Sequence, residues 1–409
     1  MPVRLDCLPA PAIRPARPRM LLWLSLLALL LALGIGSTFV FATPALREQP
    51  MSFWGLAMGL PVSGWVILGF GRIALYIGQQ SAADGWDEAR EDDLIGRIRQ
   101  GRCSQQVLGV SLYTALHNPG DKPATQVDAL LSGMETLKTQ PDPVGEVPLR
   151  HTRLQAGAQE EPEDVLLRVL TQVLTDLGQT LAQVPEGTPL ALLLEVDSSL
   201  PDGLCSRVWQ RAWRDSGIRQ STVSVESCGL AAVDHWLDHR IHDQAMMLVL
   251  AVQLAPQEAE DTAEVAVGLL LGNRPTQTTL APIAYLHRPE QERQPTGADL
   301  LYAARQALDW VPLQGPSIEQ VWRVCMGAQR TAAMKSALLE IPIPVESPRE
   351  VCNLDKLLGN PGKAAPWLAI AAATQTIERG AGPQFIFSGS KDAAALWCTV
   401  LMPVSLLSK

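Results

Sequence analysis

Cys228 is the residue whose position could most directly do chemistry. The run Val225-Glu-Ser-Cys-Gly-Leu-Ala-Ala232 reads as a strand passing into a helix, with the cysteine at the helix N-terminus. Free N–H groups and the helix dipole stabilise a thiolate at such a position, which suits a nucleophile. The competing reading is a small buried cysteine filling the helix–sheet junction. It is favoured because a thiolate without a partner base is not a tuned catalyst. Further along the same helix, His235, His239 and His242 stand at spacings of four and three. They could face one way and bind zinc. Asp234, Asp238, Arg240 and Asp243 interleave with them, which favours a solvated, metal-free helix face. No phosphate-binding loop, dinucleotide fingerprint or Gly-x-Ser-x-Gly elbow occurs, so no cofactor is expected. Carboxylates are plentiful, but no spacing makes a pair converge, and acid–base hydrolysis is unsupported.

These residues need elements to position them. Ser221 to Val225 alternates as a strand ahead of Cys228, and Gly203 to Gly217 reads as a helix. Glu160 to Val184 has its acidic residues in the first turn and its apolar residues at three and four, the pattern of an amphipathic helix. Leu190 to Val196 is a short continuous apolar run, as in a buried parallel strand. Val107 to Leu116 is expected as a first strand, followed by a turn at His117-Asn-Pro-Gly-Asp121. Met246 to Val252 and Glu264 to Leu271 are strand candidates that form a hairpin or neighbouring strands. Leu286 to Thr296 is polar and reads as a join between two halves. Gly297 to Leu308 is a helix, and Ile318 to Val324 a strand. The alternation of strands and helices predicts a layered α/β domain.

The chain has 409 residues and a net charge of −9, which argues against a nucleic-acid partner. Its seven cysteines lack CxxC pairing and read as reduced thiols. Two apolar runs, 20–41 and 53–77, are long enough to cross a bilayer and predict a transmembrane hairpin over 20–78. Pro61 lies inside the second run. The basic leader 1–19 carries Arg4, Arg14, Arg17 and Arg19, whereas the connecting loop carries only Arg47. The positive-inside rule therefore places leader and large domain in the cytoplasm, giving a multi-pass membrane protein. A signal peptide cleaved at Val40-Phe41-Ala42 is the alternative. A charged linker helix is expected over 79–106, and a domain over 107–402 with halves 107–285 and 297–402.

Near the C-terminus, Lys356-Leu-Leu-Gly-Asn-Pro-Gly-Lys-Ala-Ala-Pro-Trp-Leu-Ala-Ile-Ala-Ala-Ala373 runs from a tight turn into an apolar, alanine-rich helix. Small residues on every side predict burial all round. This stretch resembles the last catalytic loop of the thiolase-like superfamily, which includes the β-ketoacyl synthases. There a lysine is followed by Gly-His and by Gly-Ala-Ala-Gly opening a buried helix. Gly359 takes the first glycine, Ala364-Ala365 the alanine pair, and Asn360 stands where the histidine would be. Val324-Cys-Met-Gly-Ala-Gln-Arg-Thr331 is similar to the His-Gly-Thr-Gly-Thr segment, with Cys325 near the histidine position. No histidine follows His287, so both family histidines are missing. Ser388-Gly389-Ser390 resembles a reduced form of the family's terminal glycine-rich turn. Cys228 falls at the family's nucleophile position.

The resemblance implies a layered α-β-α-β-α domain, an internal duplication that no repeated sequence reveals, and a homodimer through that domain. With both histidines lost, no catalytic residue is expected; Cys228, Cys325 and Asn360 are degenerate positions. Val107-Leu-Gly-Val-Ser-Leu-Tyr113 also resembles the start of type VI secretion lipase-adaptor proteins, and this resemblance implies a bacterial inner membrane as the setting. The function expected is a non-catalytic membrane-anchored adaptor or scaffold, a pseudo-enzyme with a protein partner such as a secretion component or effector. The alternatives are an acyl-transfer enzyme using Cys228 and a protein that binds an acyl chain or lipid without reaction.

Overall fold

The computed structural model describes residues 3–41, 43–118, 120, 123–141, 148–154, 160–311, 313–341, 343, 351–390 and 395–404. The turn expected at 117–121 and the 391–394 part of the terminal segment fall partly or wholly outside them. The chain divides into two compact units, one over 4–97 and one formed by 1–3 with 98–409.

The smaller unit is a helical hairpin. Helix α1 (Met20–Phe41) is followed by the short α2 (Pro44–Arg47) and α3 (Pro50–Trp54), a π-helical turn at Gly55–Gly59, and the long α4 (Leu60–Gly101). Two helices here are long and apolar enough to cross a membrane. They run antiparallel: Phe39 meets Phe53 edge to face, and Trp65 Nε1 donates to the Trp23 carbonyl at 2.8 Å. Gly34 is needed at their crossing, because a Cβ there would stand 2.6 Å from the Ala57 carbonyl oxygen. The π turn precedes Pro61, where the ladder must accommodate a residue without an N–H. The charged helix expected over 79–106 forms the last part of α4, which ends at Gly101, and β1 starts at Ser104. The leader lies along it as an extended strap. Ala12 N–H donates to Asp87 at 2.8 Å, Trp86 Nε1 to the Ala10 carbonyl at 3.1 Å, and Arg90 Nε to the Pro9 carbonyl at 2.8 Å. Leader and stalk therefore leave the hairpin on the same side.

In the larger unit, β1 (Ser104–Tyr113) starts three residues before the expected 107. After it come α5 (Pro123–Leu131), β2 (Lys138–Pro141), β3 (Pro148–Thr152), α6 (Pro162–Leu181), β4 (Leu190–Ser198), α7 (Asp202–Asp215), β5 (Thr222–Ser224), α8 (Gly229–His239), β6 (Met246–Leu254), β7 (Thr262–Ala263) and β8 (Val265–Asn273). The remainder is β9 (Ala284–His287), β10 (Glu290–Gln291), α9 (Gly297–Asp309), β11 (Gln320–Val324), α10 (Ala328–Glu340), β12 (Val351–Asn353), α11 (Leu354–Leu357), α12 (Ala365–Glu378), β13 (Gln384–Ser388) and β14 (Trp397–Pro403).

One 11-stranded sheet runs β12-β11-β13-β14-β9-β1-β8-β6-β4-β5, with β10 paired to β14 off this path and set aside in the numbering that follows. Number the strands of each half by chain order, and both halves read 3-2-4-5-1 from the outer edge to the centre. Directions match as well: β4 is parallel to β5 and β6, as β11 is to β12 and β13, whereas β8 and β14 are antiparallel to both their neighbours. The duplication is thus present in topology. The segment 286–296, read from sequence as a join, instead completes β9 and supplies β10. Its Arg288, Glu290 and Glu292 are buried.

The sheet folds around α12, which touches β1 and β8 of the first half and β11, β13 and β14 of the second. Helix α12 is buried from Ala365 to Ile377, as its all-round small residues predict. The core on this side also takes Ala191, Leu193, Val249, Val267 and the apolar residues of α8. Alternate residues of the same strands, Leu192, Leu248 and Leu270, face α6 and α7 instead. In the second half α9 packs on β14, with α10 against α9. The layers run helix, sheet, helix, sheet, helix.

Candidate functional site

Parallel strands β4 and β6 point their C-terminal ends at one rim, where ligands of α/β sheets bind. On β4, Glu195 and Asp197 share the parity of Ala191 and Leu193, so both carboxylates are directed into the middle layer. Glu195 joins the two central helices. Its Oε1 accepts the Gly229 N–H at 2.6 Å, and its Oε2 accepts the Trp367 Nε1–H at 2.7 Å. The first N–H of α8 is therefore already held by a carboxylate. Cys228 is the N-cap of α8 in extended geometry, and it is exposed. The reading of a buried cysteine at this junction is corrected. Strand β5 is a three-residue edge strand, so the junction lies at the rim of the sheet.

Asn360 reaches the same rim from the turn before α12. Its Oδ1 accepts the Gly362 N–H at 2.9 Å, closing a turn onto its own backbone. Its carbonyl accepts from Ala263 N–H at 2.9 Å and Gln253 Nε2 at 2.7 Å, and its N–H donates to the Asp261 carbonyl at 2.8 Å. Gly362 is required: its φ is +53°, and a Cβ would lie 1.9 Å from Gln253 Oε1 and 2.7 Å from Asp197 Oδ2. Gly359 (φ +103°) is equally constrained by the Thr262 carbonyl. Beside this turn opens a cleft of about 430 Å³, lined by Asp197, Gln253, Glu258, Glu260, Asp261 and Lys363 among others. Carboxylates dominate its mouth, which disfavours anionic ligands. Lys356, the lysine of the loop, is at the surface and pairs with Glu135 at 2.5 Å.

Cys325 belongs to a second cluster, at the end of β11. It adopts φ +54°, and its N–H donates to Asp355 Oδ1 at 2.6 Å while the Met326 N–H donates to Oδ2 at 3.0 Å. Burial raises the Asp355 carboxyl above the ordinary carboxylate value, and these two N–H groups pull it back. Gly389 donates to the Val324 carbonyl at 3.0 Å and touches the Cys325 carbonyl so closely that no Cβ fits. The reduced terminal turn has kept the glycine that this approach requires. The turns at Cys228 and Cys325 thus share a device: an internal carboxylate, Glu195 or Asp355, that accepts local backbone N–H groups. Asn360 closes its own turn.

The histidines of α8 are at the surface. His235 and His239 stack with ring centroids 4.3 Å apart, His239 Nδ1 lies 3.0 Å from the His235 carbonyl, and His242 lies beyond the helix end. No group of three metal-ligating side chains occurs among the described residues. The interleaved acids do not share this solvated face. Asp234 and Asp238 turn inward onto Arg288, at 2.5 and 2.7 Å, and Arg288 is fully buried. Asp238 also accepts from Gln100 Nε2 at 2.8 Å. Glu290 is buried nearby, accepts from Trp310 Nε1 at 3.2 Å, and is pushed up to about 7 by burial.

Glu195, Asp197 and Asp355 were missed from sequence. A signal existed for the first two: acids at the end of an apolar parallel strand, in register with its core-facing residues.

No protein-family profile matches the chain, and no curated protein matches it. Among solved structures it is similar to the ishigamide ketosynthase/chain length factor, at 16% identity and a TM-score of 0.54, over 74% of this chain and 99% of that one. It is also similar to the PfaC keto synthase-chain length factor, at 11% identity and a TM-score of 0.52, over 74% of this chain and 43% of that one. The fold is thiolase-like.

Proposed function

We propose that the protein is a non-catalytic, membrane-anchored adaptor or scaffold built on a thiolase-like fold. The observation that carries this reading is the Glu195 carboxylate, which bridges the first N–H of α8 and the Trp367 indole. In a condensing enzyme, that N–H and the helix dipole would serve a thiolate and its developing oxyanion. Here an internal anion already has them. Neither group at the positions where the resemblance would place a histidine, Cys325 and Asn360, can carry a cation, and the Asn360 amide cannot shuttle a proton. Losing one preorganised donor costs about 100- to 1,000-fold in rate, so losing both histidines leaves no condensing activity above background.

The setting proposed is a bacterial inner membrane, with leader and large domain cytoplasmic and with a protein partner from a secretion system such as type VI. Pairing with a second copy through the large domain belongs to the same reading: β5 is paired on one side only, and its Val223 is 60% exposed. A pull-down from native membranes tests the partner. Recovery of no secretion component would remove that setting.

A second reading, acyl transfer through Cys228, is favoured by the exposure of that thiol at a helix N-cap. A thiol-directed acyl probe on the purified protein separates the two. The scaffold reading expects no labelling above that of the other exposed thiol, Cys7. Selective acylation of Cys228, abolished with function in Cys228→Ala, would replace it.

A further inference from the structure

The hairpin carries three guanidiniums at one level. That level is fixed by the Trp65 Nε1 bond to the Trp23 carbonyl, which sets residue 65 of the second helix beside residue 23 of the first. An α-helix rises about 1.5 Å per residue, so Arg72 lies about 10 Å beyond Trp65 along the axis. Helix α1 runs the other way, which puts Arg19 about 6 Å beyond Trp23 in that same direction. Arg17, two extended residues further, lies about 12–13 Å along. The three side chains therefore share a band about 6 Å deep, at the end of both apolar runs. From Arg72 back to Trp54 the second run spans about 27 Å, close to the hydrocarbon thickness of a bilayer.

Four other arginines of this unit are engaged. Arg14 holds Asp84 and Asp87, Arg90 the Pro9 carbonyl, Arg97 Asp93 and the Arg4 carbonyl, and Arg47 the Phe39 carbonyl. Arg17, Arg19 and Arg72 make no side-chain hydrogen bond or ion pair among the described residues. The chain offers them no anion at this depth: between Asp6 and Asp84 its only acidic residue is Glu48, in the connection at the opposite end of the hairpin. Three permanent cations with no internal counter-charge stand where a bilayer places its phosphates. A guanidinium fork matches phosphate oxygens two at a time.

We propose that Arg17, Arg19 and Arg72 form a recognition band for the phosphate groups of anionic phospholipids on the leader's side of the bilayer. The proposal rests on the hairpin being a membrane anchor. The test uses the full chain reconstituted into vesicles of phosphatidylcholine with phosphatidylglycerol, followed by native mass spectrometry of the lipids it retains. The wild type retains phosphatidylglycerol over phosphatidylcholine. Each Arg→Gln change at 17, 19 or 72 lowers that preference by about fivefold, and the triple variant loses it. Arg90→Gln, whose guanidinium is already engaged, leaves the preference unchanged. A triple variant that inserts and keeps the wild-type preference overturns the proposal while the anchor reading stands. A wild type that fails to sediment with vesicles of either lipid overturns both.

Discussion

Helices α8 and α12 occupy equivalent places in the two halves, each between the third and fourth strand of its half. Yet one is open and the other closed. Helix α8 keeps an exposed stripe through Cys228, Ala231, His235 and His239, and it is held from below by Asp234 and Asp238 on Arg288. Helix α12 is buried on every side by strands of both halves. Duplicated topology therefore did not fix the environment. The second copy became the filling of the domain, and the first kept the helix N-terminus that solvent reaches. The first half therefore holds both the solvent-reached N-terminus of α8 and the Glu195 carboxylate bonded to it.

The comparison can be broken most severely at Arg288. Arg288→Ala strands two buried carboxylates and is expected to cost about 3–5 kcal/mol, read by thermal or urea unfolding of the solubilised chain. A loss below 1 kcal/mol would mean that α8 is held by something other than this cluster. A paired substitution sharpens the contrast between the helices. Ala371→Leu overfills the core and should cost about 1–3 kcal/mol, whereas Ala231→Leu on the exposed stripe stays within about 0.5 kcal/mol. Equal effects would erase the distinction.

A shallower effect concerns pH. Glu290 is raised from the ordinary 4.5 to about 7, so its contribution is fully present below the ordinary value and is lost as pH rises through 7. The melting temperature should fall over that window, and Glu290→Gln should flatten the profile. A slope that survives the substitution assigns it to another group. The smallest effect is expected at Cys228→Ala: stability within about 0.5 kcal/mol and biological function retained. Loss of function in a folded Cys228→Ala protein would hand the first half back to catalysis.

Much of this frame was legible in sequence wherever one local pattern decided the outcome. Helix α6 announced itself by apolar residues at three and four, β4 by an unbroken aliphatic run, and α12 by small residues with no polar side. What stayed hidden depended on partners far along the chain. The segment from His287 to Glu292 looks like a solvated join because its residues are polar. It is buried because each charge finds a counterpart elsewhere: Arg288 on α8, Glu290 at Trp310, and Glu292 at Arg330 and the Leu396 N–H. The inward turn of Asp234 and Asp238 was hidden for the same reason. The leader read only as basic, and the contacts of its backbone carbonyls with Trp86 and Arg90 left no sequence signal. The shared 3-2-4-5-1 order leaves no trace in sequence, because strand order is a property of pairing.

The mirrored sheet also imposes a timetable on synthesis. Strand β1 emerges early, but its neighbours are β8 and β9: Gln105 pairs with both Asn273 and Leu286. The layer that covers the inner side of the first-half strands is completed only by α12, near the end of the chain. At about 5–20 residues per second, tens of seconds pass between β1 and α12 leaving the ribosome. Throughout that interval α8 alone is available to cover the aliphatic inner side of β4, β6 and β8. Chaperone demand during translation follows from this order. A chain cut before α12 would yield a sheet covered only by α8, with an aggregation-prone apolar side. The halves match in plan but cannot be separated.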